Sequence, residues 1–162
     1  MNVAHVHLLV NHLPIFGSFF ALPVWALAGA LPRQRALLGL ATAFSVLTAV
    51  GAFAADQSGE GAEEVVEALP RASELALEVH EERAEVALAS AALTAALAVG
   101  ATAWSLRRGE TSRAAVGATF VAGLVTAGAM AWTGWAGGQI AHDEIRADAP
   151  AMGRGEAESD DD

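Results

Sequence analysis

Five histidines are the residues of this chain best suited to chemistry: His5, His7, His12, His80 and His142. An imidazole offers a lone pair to a metal and changes charge near neutral pH. His7 and Asn11 are spaced as neighbours on a helix, and His5 and His12 share a face two turns apart. His80 shares a face with Leu77, Ala84 and Ala87, which turns it toward the apolar side of its helix. His142 follows Gly137-Gly138-Gln139-Ile140 and precedes Asp143-Glu144. The candidate site is therefore His7, His12, His80 and His142, with Glu63, Glu64 and Glu81 as ligating or supporting carboxylates. His12 and His80 form the expected central pair, because they belong to different helices near the membrane boundary. His5 is the weakest member, close to a fraying terminus. Gly137 and Gly138 are expected to make a flexible turn that lets His142 close over a ligand.

Three chemistries fit such a set. Imidazoles and carboxylates suit a transition metal such as Cu, Zn, Fe or Ni. Two histidines on different helices at similar depth suit the axial positions of a b-type haem. Helix-end histidines also serve as hydrogen-bonding residues with no ligand. Spacing leaves all three open. Enzyme motifs give no further direction. There is no nucleophile elbow and no phosphate-binding loop, and His80-Glu81-Glu82-Arg83-Ala84 lacks the second histidine of a zincin.

The elements that must position these residues are apolar. The 162 residues are 54% hydrophobic and 17% charged, with no cysteine and a net charge of −10. All nine bases are Arg, against 19 acids. Disulfide scaffolds, Cys–zinc sites, iron–sulfur clusters and Cys nucleophiles are excluded. Few bases in a strongly acidic chain argue against nucleic-acid binding. Four long apolar runs, at about 8–31, 36–55, 84–104 and 114–135, approach or exceed the ~20 residues that cross a bilayer. Their Ala- and Leu-rich composition lacks the alternation of a barrel strand. The N-terminal segment has no preceding base and is interrupted by two prolines and two histidines, His7 and His12, so it reads as a span and not as a signal peptide. Small residues such as Gly17 with Ala21, and the alanines of the third run, favour close helix packing.

The expected fold is all-α: an integral membrane up-and-down four-helix bundle over residues 1–146, with an acidic disordered tail at 147–162. The loop at 56–83 is expected to turn at Ser58-Gly59-Glu60-Gly61. A short amphipathic helix then runs from Ala62 to Leu69, and a second stretch runs from Ser73 into the third span. Pro14 and Pro23 are expected to start and kink the first helix.

Arginine placement sets the orientation. Arg33 and Arg35 mark the first short loop, and Arg107, Arg108 and Arg113 mark the third. Basic short loops stay in the cytoplasm, so both termini and the loop at 56–83 are expected outside the prokaryotic plasma membrane. Glu110 is then the one acid on the inner side. Trp25 and Trp104 are expected at the inner boundary, with Trp132 and Trp135 at the outer one. The expected partners are the bilayer and a membrane redox partner or quinone. A transport path is not indicated, since the spans carry no charge.

The stretch from His7 to Ile15 resembles the signature H-x-x-x-x-H-[FL]-P-I of a domain-of-unknown-function family of small bacterial membrane proteins with four transmembrane helices. Ser58 to Glu67, His80-Glu81 and Gly134 to Arg146 resemble further stretches of the same group, and the likeness covers most of the chain up to Arg146. Trp135 stands where that family often has Asn, Ala141 where it often has Arg, and Ser58 where Thr is common. The resemblance implies the fold and the membrane location. It also places the family's motifs on the same histidines, and it implies no particular chemistry.

Overall fold

The structure, a computed structural model, describes residues 2–70 and 72–146. The expected tail at 147–162 lies outside the described residues. Five α-helices follow in order: α1 Val3–Val10, α2 His12–Ala30, α3 Arg35–Glu67, α4 Glu74–Arg108 and α5 Arg113–Ala141. A 3-10 turn, Asp143–Ile145, ends the described chain, which contains no strand among the described residues. Helix starts follow local chemistry. The side chains of Asn2, Ser73 and Ser112 accept the backbone N–H groups of His5, Ala76 and Ala115, satisfying donors that a first helical turn leaves free. Gly109, at φ 75°, closes α4 in the left-handed conformation that disfavours other residues.

Four stretches are long and apolar enough to cross a membrane: Val3–Ala30, Arg35–Glu67, Glu74–Arg108 and Arg113–Ala141. The 33 residues of α3 and 35 of α4 give each a length of roughly 50 Å, against a hydrocarbon core of about 30 Å. Each long helix packs antiparallel on its two neighbours, α2 on α3, α3 on α4, α4 on α5 and α5 back on α2, closing a four-membered ring. α1 lies mainly along α3. At one end Arg35 donates to the Gly109 carbonyl and Thr111 to that of Pro32, tying two short connections together. The other end carries the carboxylates of α3 and α4.

The interior is built from small residues and hydroxyls at spacings of three and four. On α3, Leu38, Ala41, Ser45, Thr48 and Ala52 are buried in that rhythm, and on α4, Ala87, Ala91, Thr94, Ala98 and Ala101 are. Thr94 and Thr126 share a hydrogen bond of 2.9 Å between α4 and α5. Buried hydroxyls need such partners, and Ser45, Thr48 and Thr126 also donate back to the carbonyl one turn earlier. Gly17 brings α2 against α3 so closely that a Cβ there would stand 2.6 Å from Thr48 Oγ1.

Several expectations are corrected. The turn at Ser58–Gly61 does not exist, since α3 runs unbroken to Glu67 and no separate helix spans 62–69. Gly61 faces α1, where a Cβ would meet Val3 Cγ1 at 2.8 Å, so this glycine permits close approach and makes no turn. Gly137 and Gly138 likewise lie inside α5. The expected loop at 56–83 is therefore formed by the ends of α3 and α4, joined by a short connection. The first span begins at Val3 and is broken at Asn11, with Pro14 in the first turn of α2, where its missing N–H is harmless. Trp25 is fully buried and donates to Ser45 Oγ at 3.0 Å, so it is a core residue and no boundary anchor.

Candidate functional site

His7 and His80 meet at the acidic end of the bundle. Their ring centroids are 6.5 Å apart and their planes stand at 80°. His7 is on α1 and His80 on α4, and each is half-buried. Nδ1 of His7 lies 3.0 Å from the Ala55 carbonyl and 3.1 Å from Ser58 Oγ, both on α3. Nδ1 of His80 lies 3.1 Å from the Thr133 carbonyl on α5. A carbonyl only accepts, so in both rings Nδ1 carries the hydrogen and donates it. In the neutral rings Nε2 then holds the lone pair. In each case a backbone acceptor behind the ring fixes its tautomer and orientation. Four helices thus contribute to two rings.

Local sequence explains the placement. Ser58 donates its own hydroxyl hydrogen to the carbonyls of Ala54 and Ala55, which leaves its oxygen facing His7. Gly137 on α5 makes room for His80: a Cβ there would stand 3.1 Å from Cε1 and 3.3 Å from Nδ1.

The other expected members are spread around this pair. His12 is exposed, bonds the Leu8 carbonyl through Nδ1 at 2.7 Å and stacks on Phe16 at 6.2 Å. It belongs to an exposed ladder that continues to Phe20. The structure therefore pairs His80 with His7 and not with His12. His142 is exposed and its Nδ1 contacts Glu144 Oε1 at 2.9 Å. Because Gly137 and Gly138 are helical, the expected swinging turn is absent. His5 is exposed.

Glu63 on α3 feels the charge of Glu81 on α4. Glu63 is five residues beyond Ser58 along α3, roughly 7.5 Å. Glu63 thus lies beyond Ser58 toward the end of the bundle, while Glu81 directly follows His80 on α4. Burial, and then repulsion from Glu81, Glu67 and Glu60, raises the Glu63 carboxyl above its ordinary value. Burial also pushes the His80 imidazole below its ordinary value, opposed by its bond to Thr133 and reinforced by His7 and Arg83. Both groups lie beyond the uncharged apolar runs. Glu64 is exposed. Among the described residues, no group of three or more His, Asp or Glu side chains is close enough to hold a metal ion unaided.

Two features escaped the sequence reading. Asn11 Oδ1 is buried and has no hydrogen-bond partner among the described residues. It stands one turn from His7, as the i, i+4 spacing indicates. Arg83 lies over the rings of Trp132 and Trp135, at 4.4 and 5.1 Å from their centroids. An Arg three residues after His80, facing a helix with tryptophans three apart, was the available signal.

Compared with known proteins, the chain matches no family model, no curated protein and no solved structure.

Proposed function

We propose that this chain is a multi-pass protein of a prokaryotic plasma membrane whose acidic end holds a transition-metal cation between His7 and His80. The observation that carries this reading is the pair of Nδ1–H groups anchored on the Ala55 and Thr133 carbonyls, which leaves each Nε2 as the basic nitrogen. Imidazole nitrogen suits Zn, Cu, Fe or Ni, with the remaining positions filled by water or a small ligand. Glu63 and Glu81 draw a cation toward the rings without ligating it. The short arginine-bearing connections favour placing this end outside, with both termini. Membership of the four-span family with the H-x-x-x-x-H-[FL]-P-I signature belongs to the same proposal, as does service to a membrane redox partner or quinone. Metal analysis and an absorption spectrum of gently purified protein test it. A stoichiometric first-row metal supports it, a Soret band replaces the cation by a b-type haem, and neither signal overturns it.

A second reading rests on the same bonds. Each imidazole already ties its own helix to another, His7 to α3 and His80 to α5. In that case the rings are structural clamps of an interaction module with no cofactor.

A further inference from the structure

The cation of Arg83 is held in an unusual way. Its guanidinium lies over Trp132 and Trp135, and Nη1 is buried with no hydrogen-bond partner among the described residues. Stacking on indole stabilises a guanidinium, yet leaves its in-plane N–H donors unused. The two tryptophans are 51% and 56% exposed, on the outward face of α5. Amphipathic indoles of this kind collect at the headgroup level of a bilayer. The surroundings are anionic: Glu82 precedes Arg83, and Glu78 and Glu85 stand one turn to either side of Glu82, all exposed. A fully anionic headgroup would meet repulsion from these three carboxylates. A headgroup with a phosphate and a primary ammonium would satisfy both signs.

We propose that Arg83, Trp132 and Trp135, with Glu82 beside them, form a binding site for the headgroup of a phosphatidylethanolamine-type lipid. The phosphate oxygens accept from the guanidinium N–H groups other than those of the buried Nη1, along the edge that faces outward. The ammonium donates to Glu82, with Glu78 or Glu85 within reach. A choline headgroup offers the phosphate but no N–H donors, and a glycerol headgroup has no cation. The indoles cover the glycerol backbone. The inference rests on the membrane reading above, but not on the metal.

Native mass spectrometry of the full chain, released from nanodiscs of equal phosphatidylethanolamine, phosphatidylcholine and phosphatidylglycerol, tests it. Ethanolamine lipid should be retained over the other two by roughly fivefold, the scale of a good surface ion pair. Arg83→Ala removes the phosphate anchor and should narrow the lead of the ethanolamine lipid over the choline lipid, with phosphatidylglycerol still the least retained, and Arg83→Lys should keep part of the preference. Should Arg83→Ala fold poorly, Glu82→Gln gives an independent arm, shifting retention toward phosphatidylglycerol. An excess of inorganic phosphate should leave retention unchanged, and displacement by it would remove the lipid as the source of the phosphate. Equal retention by the parent protein, or a preference unchanged by Arg83→Ala, overturns the site. Failure of the chain to enter nanodiscs at all overturns the membrane reading instead.

Discussion

Gly137 on α5 faces the imidazole of His80 on α4, where a Cβ would stand 3.1 Å from Cε1 and the ring would have to give by a few tenths of an ångström. Gly137→Ala should therefore push the ring from the Thr133 carbonyl toward solvent. Helix propensity gains about 1 kcal/mol from Ala and the lost bond costs about 1 kcal/mol, so thermal stability should barely move. The sensitive readout is the imidazole itself. Titration by nitrogen NMR should show His80 protonating closer to its ordinary value than in the parent, and an unchanged titration would show that the ring does not depend on this gap.

Stability should fall on mild acidification. Burial makes His80 harder to protonate in the fold than in the unfolded chain. The unfolded chain takes the proton first, so stability present above pH 6.5 is lost as pH falls through the folded value below it. His80→Gln should flatten that slope in detergent denaturation. Glu63 has the opposite sign, because its raised value lets the fold take up a proton first, which adds stability as pH falls toward 4.5. Glu63 is largely solvent-screened, so its effect should be the smaller one. A slope identical in His80→Gln would assign the pH response elsewhere.

Gly17→Ala should loosen the bundle at mid-height. The new methyl would overlap Thr48 Oγ1, and overpacking of this kind costs about 1–3 kcal/mol. Circular dichroism melts in detergent should show a lower Tm, and Thr48→Ala should recover part of it by removing the obstructing oxygen. Equal losses with and without Thr48→Ala would place the strain at another contact.

The metal proposal separates the histidines. With zinc or copper as the probe, His7→Ala and His80→Ala should each lower affinity at least tenfold, the lower end of what a metal site loses with an orienting partner. His12→Ala should leave it unchanged, because that ring stacks on Phe16 in the exposed ladder. Calorimetry that finds His12 necessary and His7 dispensable would overturn the assignment.

Orientation is open to labelling, since the chain has no cysteine. A membrane-impermeant thiol reagent should modify Glu63→Cys in intact cells and spare Arg108→Cys. The reverse pattern would turn the acidic end toward the cytoplasm.

The four apolar helices and their antiparallel order were legible because uncharged runs of this length leave no solvated face. The pairing of the histidines was not, because it depends on helix phase across a break. His7 and His12 are five residues apart, about 140° around a helix, so both could not face the bundle. The wheel angle alone could have excluded a site with both rings, but the break at Asn11 decides which ring turns inward. Gly59 and Gly61 were misread for another reason: a glycine looks alike in sequence whether it turns the chain or admits a neighbour. Val3 supplies that neighbour, and it is more than fifty residues away in the chain. The buried hydroxyls were readable in principle, since Ala41, Ser45, Thr48 and Ala52 follow one rhythm, but Ser and Thr do not announce burial by type.

The break at Asn11 has a kinetic meaning. α1 contains no buried residue, and its polar hold on the bundle is the bond from His7 to α3. Segments with few buried contacts open at free energies well below that of global unfolding. The eight residues of α1 should therefore exchange their amide hydrogens ahead of α3 and α4, and each opening carries the His7 ring away from His80. For the cation proposed above, each such opening would remove one of its two imidazoles, so its release should quicken in step with amide exchange in α1.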